Sequence, residues 1–360
     1  MSTKSAASAF CAMLAIAASP LAASAGTAAG SWTATTNLAI PRDNLTATPL
    51  EDGRILVVGG VDELTTELYD PQTGAWIPGG ALNETHWGHL AVRLPDGRVL
   101  VAGGARYGSG AELYDPASNT WTPTESMNVG RIAFTGTLLR DGRVLVVGGL
   151  SADGTGVQAS AELYDPATGR WTPTASLRTP RLNHTATQLT DGTVLVAGGS
   201  NSSGMLRDAE LYDPARGRWK RVAPMTIARE YATATLLDNG RVLVAAGANP
   251  GATRAAELYD PASGRWTRTG AMTDHSGVHA VRLQDGRVLV AGGGYAGDVY
   301  SPATGTWTAT GPRIYGLHGG AAVAQLPNGQ VVSVGGSTLA NCSPKGCGSE
   351  PVASAELYTP

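Results

Sequence analysis

The sequence has little of what marks the commoner enzyme and membrane classes. Cysteine occurs three times, and lysine only at positions 4, 220 and 345. Charge of either sign is in short excess: 26 Lys plus Arg stand against 29 Asp plus Glu, a formal net charge of −3. That balance excludes a nucleic-acid binder working by bulk charge. Beyond the N-terminus no apolar run reaches the roughly 18–20 residues of a membrane-spanning helix. Nucleophile-elbow, phosphate-loop and zinc-ligand motifs are missing, and no segment shows a helical period. What the chain does have is 48 Gly and 21 Pro among 360 residues. This is high for a helical protein and below the range of low-complexity disorder. The 42% of hydrophobic residues can build a sizeable core.

The N-terminus reads as an export signal. Lys4 precedes the apolar stretch Phe10 to Ala18, and Ala23-Ser24-Ala25 has the small-residue spacing of a cleavage site. Residues 1–25 are expected to be removed and residues 26–360 to be secreted or periplasmic. Cys11 leaves with the leader. Cys342 and Cys347, five residues apart, are expected to close a small disulfide that orders its own loop.

Internal repetition is the dominant signal. A turn dipeptide recurs at Asp52-Gly53, Asp96-Gly97, Asp141-Gly142, Asp191-Gly192, Asn239-Gly240, Asp285-Gly286 and Asn328-Gly329, so six steps cover 276 residues, or 46 per repeat. Leu stands two residues before each turn. An apolar Val-Leu-Val type run follows, then a glycine pair such as Gly148-Gly149 (Ala246-Gly247 in the fifth copy). Next comes Ala-Glu-Leu-Tyr-Asp-Pro or a variant, with Tyr69, Tyr114, Tyr164, Tyr212, Tyr259, Tyr300 and Tyr358. In the first six copies a Trp follows seven residues later, from Trp76 to Trp307. The seventh copy lacks it, while Ser31-Trp32-Thr33 stands alone before the first turn. The chain therefore reads as seven circularly permuted repeats.

Each repeat supplies four short strands, A to D. Asp-Gly or Asn-Gly makes a tight A–B hairpin, because these residues accept positive φ. The all-apolar B run suits a strand buried on both faces. Asp-Pro-x-Thr/Ser-Gly is a second tight turn, between C and D, and its Asp reads as a turn residue. Seven four-stranded antiparallel sheets give an all-β fold, a seven-bladed β-propeller filling 26–360 as one domain. The N-terminal strand around Trp32 is expected to close the ring as strand D beside Glu356-Leu357-Tyr358, which removes an exposed edge.

The glycine pair, the Tyr and the Trp at this period resemble the kelch repeat, over essentially the whole mature chain. The resemblance implies a propeller with strand A innermost. It also implies that the aromatic columns are structural.

Because strands alternate in direction, the B–C and D–A loops share one face. The B–C loops vary in length, from Val61–Thr65 through Leu150–Ser160 to Ser337–Ser354, and variable loops on a rigid scaffold are where binding resides. Ten residues before each turn lies a basic column: Arg42, His86, Arg131, Arg181, Arg229, His275 and His318. These residues either anchor loops or ring the pore mouth as an electropositive funnel for an anionic group. Asp43, Glu84, Glu230 and Asp274 lie beside them. Trp87 and Tyr231, with Tyr107, Tyr295 and Tyr315, are aromatics outside the repeat columns that suit sugar stacking or protein contact. A binding module is the expectation, taking a carbohydrate, acidic or not, or a protein on this face. It is expected to be a monomer with no cofactor, no metal and no membrane span. The alternative is a sugar-processing enzyme. Some kelch propellers interconvert sugar anomers, for which Glu230, Glu84 and Arg229 are the candidate acid/base groups. Others are copper radical oxidases, whose Cys-crosslinked Tyr has no evident counterpart here. Four N-x-S/T sequons occur, at Asn44, Asn83, Asn183 and Asn201. Glycans on Asn44 or Asn183 would collide with inner strands. This, with the scarcity of lysine, leans toward a bacterial exported protein.

Overall fold

The seven Asp-Gly and Asn-Gly turns set the architecture locally. Each closes a three-residue hairpin loop, as Leu50 N–H bonds to Arg54 O and Gly53 N–H to Leu50 O, and only the glycine, at φ of 78–89°, takes the left-handed conformation that such a loop requires. In the computed structural model, residues 29–60, 64–104, 108–249, 251–273, 279–317, 319–343 and 346–360 are described. They form seven blades, each an antiparallel sheet in the order A-B-C-D. Blade 3 is representative, with strands Thr135–Leu138, Val144–Val147, Ala161–Asp165 and Arg170–Thr174. Its B strand is fully buried, as the unbroken apolar run requires. The A strands of successive blades adjoin one another, and that of blade 7, Gly319–Gln325, meets that of blade 1, Leu45–Pro49, so the ring is closed.

Closure is of the expected kind. Ser31–Ala34 pairs antiparallel with Ala355–Thr359, with Trp32 opposite Tyr358. Trp32 is buried, its ring centroid 5.1 Å from that of Tyr358, and its Nε1–H donates to Thr310 Oγ1 at 3.0 Å. The same Tyr–Trp pair recurs in all seven blades at 4.9–5.1 Å. The indole N–H commonly donates to the preceding blade, as Trp171 does to Glu125 O at 2.8 Å. The aromatic columns are thus seams between blades. The Asp of Asp-Pro behaves as a turn residue: Asp115 Oδ1 accepts the Ala117 N–H at 2.9 Å, and such bonds hold its carboxyl below the usual range.

The glycine pair has a steric reason. Gly149 N–H donates to Arg181 O in the next blade, at 2.9 Å. A Cβ on Gly148 would lie 2.5 Å from that same carbonyl and 2.9 Å from the His184 ring. No other residue lets the blades approach this closely. Two elements depart from the repeat. Strand D of blade 6 is long, Thr306–Leu317. The segment Ser337–Ser354, expected as a loop, is largely a hairpin of Val331–Ser343 with Gly346–Pro351. Cys342 and Cys347 lie on its two strands. The disulfide expectation falls on side chains outside those described.

Candidate functional site

The D–A and B–C loops meet on one face and carry most of the described residues singled out for binding, whereas Tyr295 and Tyr315 lie in the long strands Gly294–Ser301 and Thr306–Leu317. His275 and His318 lie outside the described residues, as do Asp274 and Tyr107. The other five members of the basic column are placed in one recurring geometry, beneath the loops. Arg42, Arg131, Arg181 and Arg229 are wholly inaccessible and His86 nearly so. Each points at the Glu of its own blade's strand C: Arg131 Nη2 donates to Glu162 Oε1 at 2.8 Å, and Arg42, Arg181 and Arg229 reach Glu67, Glu210 and Glu257 at 3.1–3.3 Å. His86 Nε2 stands 3.4 Å from Glu112. A second guanidinium nitrogen donates to the glycine-pair carbonyl, as Arg131 Nη1 does to Gly148 O at 2.9 Å. The Glu meanwhile accepts backbone N–H groups of the entering loop, for instance from Asn128 and Val129 onto Glu162. The geometry carries the loop-anchor reading of this column. These five described members face buried carboxylates and not an open funnel.

Strand-C Glu67, Glu112, Glu162, Glu210, Glu257, Asp298 and Glu356 are the residues that sequence reasoning missed. Their signal was available: seven acids in register, one per basic residue. In the seventh sector Arg313, from the long D strand of blade 6, donates to Glu356 Oε1 at 2.5 Å.

Beside the column, the described residues Glu230, Tyr231 and Asp43 are half-buried rather than buried. Glu230 is half-buried, and its Oε2 accepts Ser200 Oγ–H at 2.6 Å and Asn183 Nδ2–H at 3.2 Å. Its Oε1 makes no hydrogen bond among the described residues. The next residue, Tyr231, has φ of 54°. Its counterparts two residues after each basic residue are Asn44, Gly88, Ala133, Asn183 and Gly320, all at positive φ and all small. A bulky side chain there costs roughly 1–2 kcal/mol. Burial raises the Tyr231 phenol above its usual range, and the Glu230 charge adds to the shift, against a lowering contact with Asn183. Ala232 and His184, the chain neighbours of Tyr231 and Asn183, line a cavity of about 240 Å3 with Thr185, Ala186, Thr233, Ala234, His279 and Ala280. Burial drives His184 down to about 3 and His279 to about 4, so both imidazoles are neutral at pH 7. Asp43, half-buried at the mouth of blade 1, is shifted upward by desolvation.

Glu84 and Trp87 are half-buried on blade 2, three sectors from Glu230, and the structure does not bring them to this cluster. Among the described residues no group of three or more His, Cys, Asp or Glu is arranged to hold a metal ion. No helix among them is long and apolar enough to cross a membrane.

Comparison with known proteins adds the following. The Kelch motif family profile matches residues 133–178 and 180–226, that is, blades 3 and 4 with their entering loops. No curated protein matches the chain. Among solved structures, one similar fold is that described as a novel fungal alcohol oxidase with catalytic diversity among the AA5 family, in complex with copper. It is 20% identical, with a TM-score of 0.73 over 92% of this chain and 76% of that one. Another is described as the structure of YjhT, 14% identical, with a TM-score of 0.61 over 77% of this chain and 99% of that one. At these identities the likeness concerns the fold alone.

Proposed function

Since the chain is a kelch-repeat β-propeller, we propose that it is a binding module whose loop face takes a neutral, hydroxyl-rich ligand, a carbohydrate, at the pore mouth between blades 4 and 5. The observation that carries the reading is Tyr231. An aromatic residue with a strained backbone follows a carboxylate with one oxygen unbonded among the described residues and precedes Ala232, which lines a polar cavity, in a column where every other described occupant is small. Backbone strain retained against an easy alternative points to a site. Glu230 Oε1 accepts a ligand hydroxyl, Asn183 and Ser200 hold the carboxylate in place, and the Tyr231 ring packs on a sugar face. The charge at this mouth favours a neutral sugar over an acidic one. The column arginines are compensated within the sheet, while Glu230 and Asp43 would repel an anion.

The test is a glycan array followed by calorimetry with wild type, Tyr231→Ala and Glu230→Gln. Loss of the stacked ring should weaken binding roughly threefold to tenfold, and loss of the carboxylate by tenfold or more. Variants indistinguishable from wild type on every glycan bound would place the site elsewhere. Turnover of a bound sugar that Glu230→Gln abolishes would instead favour the acid/base role of Glu230.

We infer also that residues 1–25 are an export signal and that Cys342 and Cys347 are oxidised in the mature chain. Intact mass of the exported protein, before and after reduction with alkylation, tests both.

A further inference from the structure

The outermost strands of a propeller are unpaired sheet edges, and proteins protect such edges with Pro, charge or shortness. Five of the seven D strands here carry little or no charge: Ala75-Trp-Ile-Pro78, Thr120-Trp-Thr-Pro123, Arg170-Trp-Thr-Pro173, Thr306-Trp-Thr-Ala309 and Ser31-Trp-Thr-Ala34. Blades 4 and 5 differ. They read Arg218-Trp-Lys-Arg221 and Arg265-Trp-Thr-Arg268, and every one of these cations is exposed. Blades 1 to 3 protect this edge with Pro78, Pro123 and Pro173, but blades 6 and 7 carry neither Pro nor a cation at that position, so edge protection alone does not require the cations of blades 4 and 5.

Their placement is specific. Side chains two apart on a strand share a face about 7 Å apart. Trp219 with Arg221, and Trp266 with Arg268, therefore present an indole and a guanidinium side by side. The same column holds Pro or Ala in every other blade. The two indoles are half-buried, as is Trp76 of blade 1, whereas Trp32, Trp121, Trp171 and Trp307 are buried. Lys220, Arg218, Arg265 and Arg268 form no ion pair among the described residues. Arg221 Nη2 stands 3.9 Å from Asp208 Oδ2 and donates to Thr179 Oγ1 at 3.4 Å, and its side chain stays exposed.

We propose that the outer strands of blades 4 and 5 form a docking edge for an acidic polysaccharide. Arg221 and Arg268 fork its anionic groups, and the Trp219 and Trp266 indoles pack on its sugar rings. Neighbouring blades repeat the Trp-x-Arg element, which fits a polymer with a repeated charge better than a single small anion. The edge is separate from the pore mouth, so the proposal stands or falls independently of the site at Glu230.

The test uses the intact protein and polygalacturonate, with retention in affinity electrophoresis measured at low and moderate salt. Wild type should be retarded by polygalacturonate and not by neutral dextran, and salt should abolish the effect. Arg221→Gln/Arg268→Gln should weaken binding by about tenfold. Arg54→Gln/Arg98→Gln, which removes the same charge from the A–B turns of blades 1 and 2, should leave it unchanged. Failure of the wild type to bind, or an equal loss in the Arg54/Arg98 control, would overturn the proposal. Equally strong retention by anionic vesicles or duplex DNA would also overturn it, by showing a surface that recognises charge alone.

Discussion

Replacing Glu162 by Gln isolates what the buried ion-pair ring contributes. The side chain keeps its shape and loses its charge. Glu162 Oε1 accepts from Arg131 Nη2 at 2.8 Å and Val129 N at 3.1 Å, and Oε2 from Asn128 N at 2.8 Å and Asn128 Nδ2 at 2.7 Å. An amide has one acceptor oxygen, so its NH2 group must face donors. Arg131 is wholly buried, and its other contacts, Gly148 O, Ser160 O and Ser160 Oγ, are neutral. The substitution therefore leaves a buried cation uncompensated, a change that costs about 3–5 kcal/mol. Blade 3 contains its own control. Arg143 and Asp141 pair at 2.7 Å, a shorter distance, but with side chains 34% and 45% exposed. Arg143→Gln should cost no more than about 1 kcal/mol, because water screens the pair and solvates the survivor. Urea unfolding at pH 7, read as midpoint and slope, measures both. A third variant, Arg131→Met/Glu162→Leu, should recover a large part of the loss, since it removes the orphaned charge with its partner. If Glu162→Gln proved no worse than Arg143→Gln, burial would not be what gives the column its strength, and the loop-anchor assignment would fail.

Acid should destabilise the ring through its inner-strand histidines. Burial takes His89 and His184 down to about 3 and His279 to about 4, each from a value of 6.5. The unfolded chain binds their protons first, so this stability is present above pH 6.5. It falls with pH by up to about 1.4 kcal/mol per unit and per histidine, until the folded values are reached. Denaturant midpoints from pH 7 to 4 should decline, less steeply for His184→Gln, and a flat profile would refute the assignment. Trp32→Ala removes a buried indole and its bond to Thr310. It should cost about 3–5 kcal/mol and open residues 29–34 to limited proteolysis. Gly148→Ala, with its Cβ 2.5 Å from Arg181 O, should lose clearly more stability than Gly154→Ala, which shares a positive φ with nothing within 4 Å. Equal thermal shifts would remove the close-approach argument. Tyr231→Asn should leave stability unchanged or raise it by up to about 1 kcal/mol while weakening sugar binding. A loss of stability beyond that would make the tyrosine a packing residue.

The fold was legible because a blade is specified almost entirely by contacts close in sequence. The Asp141-Gly142 turn fixes one hairpin, Asp165-Pro166 another, and the run Val144–Val147 fixes which strand is covered on both faces. Closure was legible from a deficit, since only Trp32 was left to pair with Tyr358. The long blade-6 strand and the hairpin of Val331–Ser343 with Gly346–Pro351 were not legible. Both lie where the period breaks, and a repeat cannot predict its own exceptions.

The basic column was legible in position but its buried partners were not. Aligning the turns brought Arg42, Arg131, Arg181 and Arg229 to one level of the ring. Whether a guanidinium at that level faces the pore or the sheet depends on the acid it meets, and that acid, such as Glu162, is about thirty residues further along. Read together, the described members of the two columns compensate each other inside the sheet. The strain at Tyr231 was half visible: Asn44, Gly88, Asn183 and Gly320 mark the column as one needing positive φ. A tyrosine there contradicts the local rule. Such contradictions are the places where a repeated scaffold stops describing itself and begins to describe a ligand.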